Sequence, residues 1–82
     1  MNEYIDELSG VFLRVRHPDK MKDLLRGLLT PQEIVELATR IHIVKLLKDG
    51  VGQHEIAKKL GVGVATVTRG SKELQLGRFQ SI

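Results

Sequence analysis

Gln53-His54-Glu55-Ile56-Ala57-Lys58-Lys59-Leu60-Gly61-Val62-Gly63-Val64-Ala65-Thr66-Val67-Thr68-Arg69-Gly70-Ser71-Lys72 is the stretch on which the fold turns. Two helices that cross steeply through a tight turn need a small residue where they touch, and Ala57 supplies it. The turn needs a residue that tolerates positive φ, and Gly61 stands four positions later. Ile56, Leu60, Val62 and Val67 then close the small core between the helices. Small, glycine and β-branched residues in this register predict a helix-turn-helix; the competing reading is an ordinary helical hairpin.

In a helix-turn-helix the second helix, here about 64–76, enters the major groove by its N-terminal end. Its early residues Val64, Ala65, Thr66 and Thr68 are short. Thr hydrogen-bonds base edges or touches the thymine methyl, whereas Val and Ala offer apolar contact alone. Close approach, shape and water are therefore expected to carry more of the readout than long bidentate arginines. Lys58, Lys59, Lys72, His54 and Gln53 are placed to meet phosphates, which position a protein without reading sequence. For each lysine the alternative is a solvated side chain.

The charge distribution points the same way. Residues 1–41 carry six basic and seven acidic side chains, and residues 42–82 carry seven and three. Lys58, Lys59, Arg69 and Lys72 have no acid among them between positions 58 and 72, which fits a polyanionic partner and, equally, a solvated helix face. Gly70 is the odd residue of the second helix. Glycine there costs about 1 kcal/mol relative to alanine, so the missing side chain reflects either space for a ligand or close packing against another backbone.

Upstream, Thr30-Pro31-Gln32-Glu33 reads as a capping box with proline at the first helical position. The helix it opens runs to about Asp49 and stops at Gly50. Ile34, Val35, Leu37, Ala38, Ile41, Ile43, Val44, Leu46 and Leu47 cover more than one of its faces. A helix apolar on several sides is buried on several sides, so it is expected to be the central helix of a dimer. Before it, Tyr4, Ile5, Leu8, Val11, Phe12 and Val15 predict a helix over 3–16 ended by Pro18, and residues 19–27 a short second helix.

An 82-residue chain buries a modest share of its surface, which again favours a second protomer. Forty-one per cent hydrophobic residues exclude a disordered chain, and no apolar run reaches bilayer length. The opening Met1-Asn2-Glu3-Tyr4 is acidic where a signal peptide is basic, so a cytoplasmic location is expected. The absence of cysteine excludes disulfides, thiol chemistry and Cys-ligated zinc. The histidines lack metal-ligand spacing, so no metal is expected. Glu33 and Glu36 lie one turn apart, but acids are common at a helix start. There is no Walker-type loop and no Ser/His/Asp arrangement, so no catalysis is expected.

On Leu29-Thr30-Pro31, Ala38-Thr39-Arg40, Ile43-Val44, Gly50, Gly61-Val62-Gly63 and Ala65-Thr66-Val67-Thr68-Arg69-Gly70-Ser71, the chain resembles the Trp repressor family over about residues 28–74. The resemblance implies an all-α fold: a small helical domain with a helix-turn-helix, in an intertwined homodimer. It implies one domain over 1–82, with dimerisation helices at 1–29, a central helix at 30–50, the helix-turn-helix at 53–76 and a short tail at 77–82. It also implies L-tryptophan as corepressor beside the recognition helix. Arg40 and Arg69 would flank the indole, Arg69 would engage the carboxylate, and Thr30 and the Leu29 backbone would meet the head group. Val44 and Gly70 would line the slot, and Glu73 would stand near the ligand ammonium. Arg40 lies in an otherwise apolar stretch, where a buried arginine wants an aromatic face or a carboxylate.

The chain departs from the family in several places. The 50–61 connection is a residue shorter, Glu73 replaces a small hydroxyl residue and Gly27 an apolar one. The N-terminal helices are abbreviated and residues 77–82 stand where a last helix is expected.

Three functions follow as alternatives: a tryptophan-gated repressor, a regulator of the same fold that needs no tryptophan, or a helical dimerisation module for another protein. Double-stranded DNA with a pseudo-palindromic operator is the expected partner of the first two. Half-sites about one helical turn apart and partly water-mediated readout are expected, and the Trp repressor is itself a standard example of both.

Overall fold

The computed structural model describes residues 2–82; Met1, part of the acidic opening, lies outside them. Five helices follow one another: α1 (Asn2–Arg14), α2 (Pro18–Leu28), α3 (Pro31–Lys48), α4 (Gln53–Leu60) and α5 (Val64–Gln75). No strand occurs among the described residues, and the fold is all-α as expected. The chain divides into two compact units, one ending at Ile34 and one from Val35 to Ile82, with the boundary inside α3.

In the first unit α1 stops at Arg14, two residues before the expected end. The Val15 amide donates to the Phe12 carbonyl at 3.1 Å, a tightened last turn. His17, which precedes proline, is forced into extended backbone at φ −124° and ψ 133°. Pro18 is therefore the first residue of α2 as well as the end of the preceding segment. His17 caps that helix, its Nδ1 accepting from the Asp19 amide at 3.3 Å. The capping box that starts α3 forms in both directions. The Glu33 amide donates to Thr30 Oγ1 at 3.1 Å and the Thr30 amide donates to Glu33 Oε1 at 2.9 Å. No residue of α1 or α2 is fully buried, and Tyr4, Ile5, Leu8 and Leu28 are exposed.

The second unit holds the core. Ile43, Ile56, Ala57 and Val67 cluster there, with Leu46, Leu47, Val51, Leu60 and Val62 packed against them. One face of α3 is thus anchored on the helix-turn-helix. Its other apolar residues stay open, with Val35 62%, Leu37 40% and Ile41 43% exposed. The expectation of burial on several sides is met on one side within a single chain.

Both sharp turns end in the same way. After α3, Gly50 takes φ +83° and the Val51 amide reaches back to the Leu46 carbonyl. After α4, Gly61 takes φ +67° and the Val62 amide donates to the Ala57 carbonyl at 3.0 Å. These are Schellman closures, which need a left-handed residue that glycine supplies without a Cβ penalty. The second one fixes the helix-turn-helix: it carries Val62 onto Ala57, the small contact residue that the sequence placed there. The recognition helix ends at Gln75, one residue short of the expected Leu76, which caps it.

Candidate nucleic-acid interface and ligand cavity

The helical repeat divides α5 into three faces. Val67 is fully buried and points into the core. Val64, Ala65 and Lys72 are exposed, with Thr68 beside them half-buried. Thr66, Arg69, Gly70 and Glu73, spaced as neighbours on one side of a helix, line a cavity. His54, Lys58 and Lys59 of α4 are exposed as well. Ala65, Thr68 and Lys72 thus lie on one side of α5, at the spacing a groove-facing surface requires.

Thr68 is not free to read bases on its own. Its hydroxyl donates to Gln53 Oε1 at 2.7 Å, tying the start of α4 to the middle of α5. The bond spends the Gln53 carbonyl and leaves its two amide hydrogens as donors. Sequence reasoning treated the two residues as separate DNA contacts. A side-chain pair fifteen positions apart has no local pattern to reveal it.

The cavity measures ≈ 540 Å³ and lies entirely within the second unit. On α3 it is lined by Leu37, Arg40, Ile41, Ile43 and Val44, on α5 by Thr66, Arg69, Gly70 and Glu73, and by Arg78, Phe79 and Ile82 beyond α5. Five of the seven residues expected to touch a ligand are brought together there: Arg40, Val44, Arg69, Gly70 and Glu73. The volume falls in the usual range for small-molecule sites, about 300–1,000 Å³. The wall is mostly apolar, with three guanidinium groups, of Arg40, Arg69 and Arg78, for an anionic or aromatic ligand; the Arg78 group is paired with Glu73.

Leu29 and Thr30 belong to the first unit. There the Thr30 hydroxyl and amide are both engaged in the capping box. Arg40 corrects an expectation: it is exposed rather than buried. It borders the cavity and also a second one of ≈ 510 Å³ that includes Leu60, Gly61 and Val62. Its long stem explains the difference, since an arginine on an apolar helix face reaches solvent with its head group.

Gly70 is explained by close packing, though against a side chain and not a backbone. A Cβ at position 70 would stand 3.3 Å from Ile43 Cγ2 and 3.8 Å from Leu47 Cδ1. Ile43 is only 1% exposed and has little room to yield. Glycine lets α5 lie close against α3 while still lining the cavity. Gly70→Val is accordingly expected to cost about 1–3 kcal/mol through overpacking, read as a lower urea midpoint. A midpoint equal to or above that of the parent would contradict this packing.

Glu73 is paired. Arg78 Nε lies 3.2 Å from Glu73 Oε2, with both side chains partly exposed. Arg78, Phe79 and Ile82, together with Leu37, Ile41 and Ile43, were not anticipated as cavity residues. Among the described residues no group of three His, Asp or Glu side chains comes together as a metal site, and no helix is long and apolar enough to cross a membrane.

Comparison with known proteins supplies the family. The family model described as Trp repressor protein matches residues 3–80. A Trp operon repressor homolog of Vibrio vulnificus is 46% identical over 78 residues, covering 90% of this chain and 76% of that protein. One from Aliivibrio salmonicida is 47% identical over 70 residues, covering 84% of this chain and 65% of the relative. One from Vibrio cholerae is 49% identical over 53 residues, covering 63% and 52%. With a helix-turn-helix closed on Ala57 and Gly61 and a match along nearly the whole sequence, the chain belongs to the Trp repressor family, which comprises DNA-binding regulators of transcription and not enzymes.

Proposed function

We propose that this repressor binds a pseudo-palindromic operator as a homodimer, and that L-tryptophan activates it from the cavity between α3 and α5. The observation that carries the reading is the position of that cavity. It shares α5 with the groove-facing residues, so a ligand held by Arg69 bears directly on the helix that enters DNA. The ligand acts only if it binds the DNA-competent arrangement more tightly than the other.

Arg40 and Arg69 would flank the indole, Arg69 would also take the carboxylate, and Val44 and Gly70 would line the slot. Glu73 would accept from the ligand ammonium, with Arg78 offsetting its charge toward the ligand carboxylate. For Leu29 and Thr30 the reading rests on the family resemblance. Val64, Ala65 and Thr68 would face bases, with Thr66, which also lines the cavity, at the edge of that surface, while Gln53, His54, Lys58, Lys59 and Lys72 would meet phosphates. The homodimer is supported by the uncovered apolar residues Tyr4, Ile5, Leu8, Leu28, Val35, Leu37 and Ile41, more than a small soluble monomer ordinarily leaves open. The N-terminal dimerisation helices 1–29, the central helix 30–50, the helix-turn-helix 53–76 and the segment 77–82 would act as one domain in that dimer.

The chain contains no tryptophan, so indole emission in a titration comes from the ligand alone. A saturable spectral change, with operator affinity rising as the site fills, is the expected result. No change at millimolar ligand, with operator binding intact, would select the regulator that needs no tryptophan. A dimer that neutralises about six phosphates should show a log–log salt slope near −5. A flat salt dependence would point to the protein-dimerisation module instead.

A further inference from the structure

We infer that residues 77–82 form a strap that makes one wall of the effector cavity, with Lys48 as its latch and Phe79 as the side chain that favours a planar apolar ligand. The inference rests on the effector reading above.

The strap begins with a reversal. Gly77 takes φ +90°, the Arg78 amide donates to the Glu73 carbonyl at 3.1 Å and the Gly77 amide to the Leu74 carbonyl at 3.0 Å. This Schellman closure turns the chain back along α5 instead of away from it. Two groups then hold it. Arg78 pairs with Glu73, itself a cavity residue. From the last turn of α3, the Lys48 ammonium donates to the Phe79 carbonyl at 2.6 Å and to the main-chain oxygen of Ile82 at 2.5 Å. One lysine thus collects two main-chain oxygens more than thirty positions away.

Phe79 carries the clearest mark of a constrained role. It is the one non-glycine residue with positive φ among the described residues, at +65°. A side chain in left-handed backbone persists where its surroundings hold it there. Here the Lys48 bond fixes its carbonyl, and the residue lines the cavity. The cavity keeps ≈ 540 Å³ with the strap in place, so the strap is a wall and not a plug. Phe79 and Ile82 add apolar surface to the lining of the cavity.

Calorimetric titration of L-tryptophan into the full chain and its variants tests the wall. Phe79→Ala is expected to weaken binding about tenfold and Lys48→Met about fivefold, with helix content and melting profile close to the parent. Equal affinities in all three proteins would overturn the inference and leave the effector reading standing. No uptake by the parent would overturn the effector reading and the wall together. The latch has a readout that needs no ligand, because Phe79→Trp places a single indole on the strap. Acrylamide is expected to quench that indole more strongly once Lys48→Met is added. Identical quenching with and without Lys48→Met would overturn the latch.

Discussion

Ile56→Ala is expected to lower the unfolding free energy by about 2–5 kcal/mol, the usual range for removing a buried isoleucine side chain. The upper part of that range applies. Ile56 is 0% exposed and packs with Ile43, Ala57 and Val67, all held in place by helices on three sides. Collapse into the space is blocked because the Gly61 closure sets the angle between α4 and α5. Folded proteins hold only about 5–15 kcal/mol in total, and a chain of this size sits toward the lower end. The variant should therefore unfold at a much lower urea concentration. DNA affinity should fall with the folded fraction, since the same residue positions α5. A loss below about 1 kcal/mol, within the range of surface substitutions, would show that this cluster is not the core that fixes the helix-turn-helix.

What the sequence made legible was local. The capping box at Thr30 and Glu33, the closure at Gly61 and the small contact at Ala57 each need residues within a few positions of one another. Each formed as the pattern required. The all-α class followed from the same periodicities. Pro18 was half legible: proline both ends a preceding helix and begins a following one, and the pattern alone favoured the first role.

Long-range arrangements were not legible. The Thr68–Gln53 bond and the Lys48 latch depend on backbone reversals that place distant residues side by side, and the Glu73–Arg78 pair, though close in sequence, depends on the reversal at Gly77. The exposure of Arg40 is another case, because helical spacing fixes the direction of a Cβ and not the course of a long side chain. Gly70 shows the limit most plainly. Its oddity was visible, but choosing between ligand space and close packing required the position of Ile43 Cγ2.

Arg69→Ala is expected to weaken L-tryptophan binding about thirtyfold or more, with unfolding free energy nearly unchanged. Two interactions are lost together. A hydrogen bond between charged groups contributes about 1.5–3 kcal/mol, and a guanidinium over an aromatic face about 0.5–2 kcal/mol; each 1.4 kcal/mol is about tenfold in affinity. Stability is spared because Arg69 is exposed and stands outside the buried cluster. Arg69→Lys separates the two contributions. It keeps a positive charge for the carboxylate but loses the planar fork and the flat face that stacks, so it should recover only part of the affinity. Operator binding without ligand should weaken modestly in Arg69→Ala, through one cation fewer near the phosphates, with a slightly shallower salt slope. The informative quantity is thus the ratio of operator affinities with and without tryptophan. That ratio should collapse toward unity in Arg69→Ala at ligand concentrations that saturate the parent. Full retention of the ratio, with only the overall affinity lowered, would place Arg69 on the DNA side of α5 and remove it from the effector site.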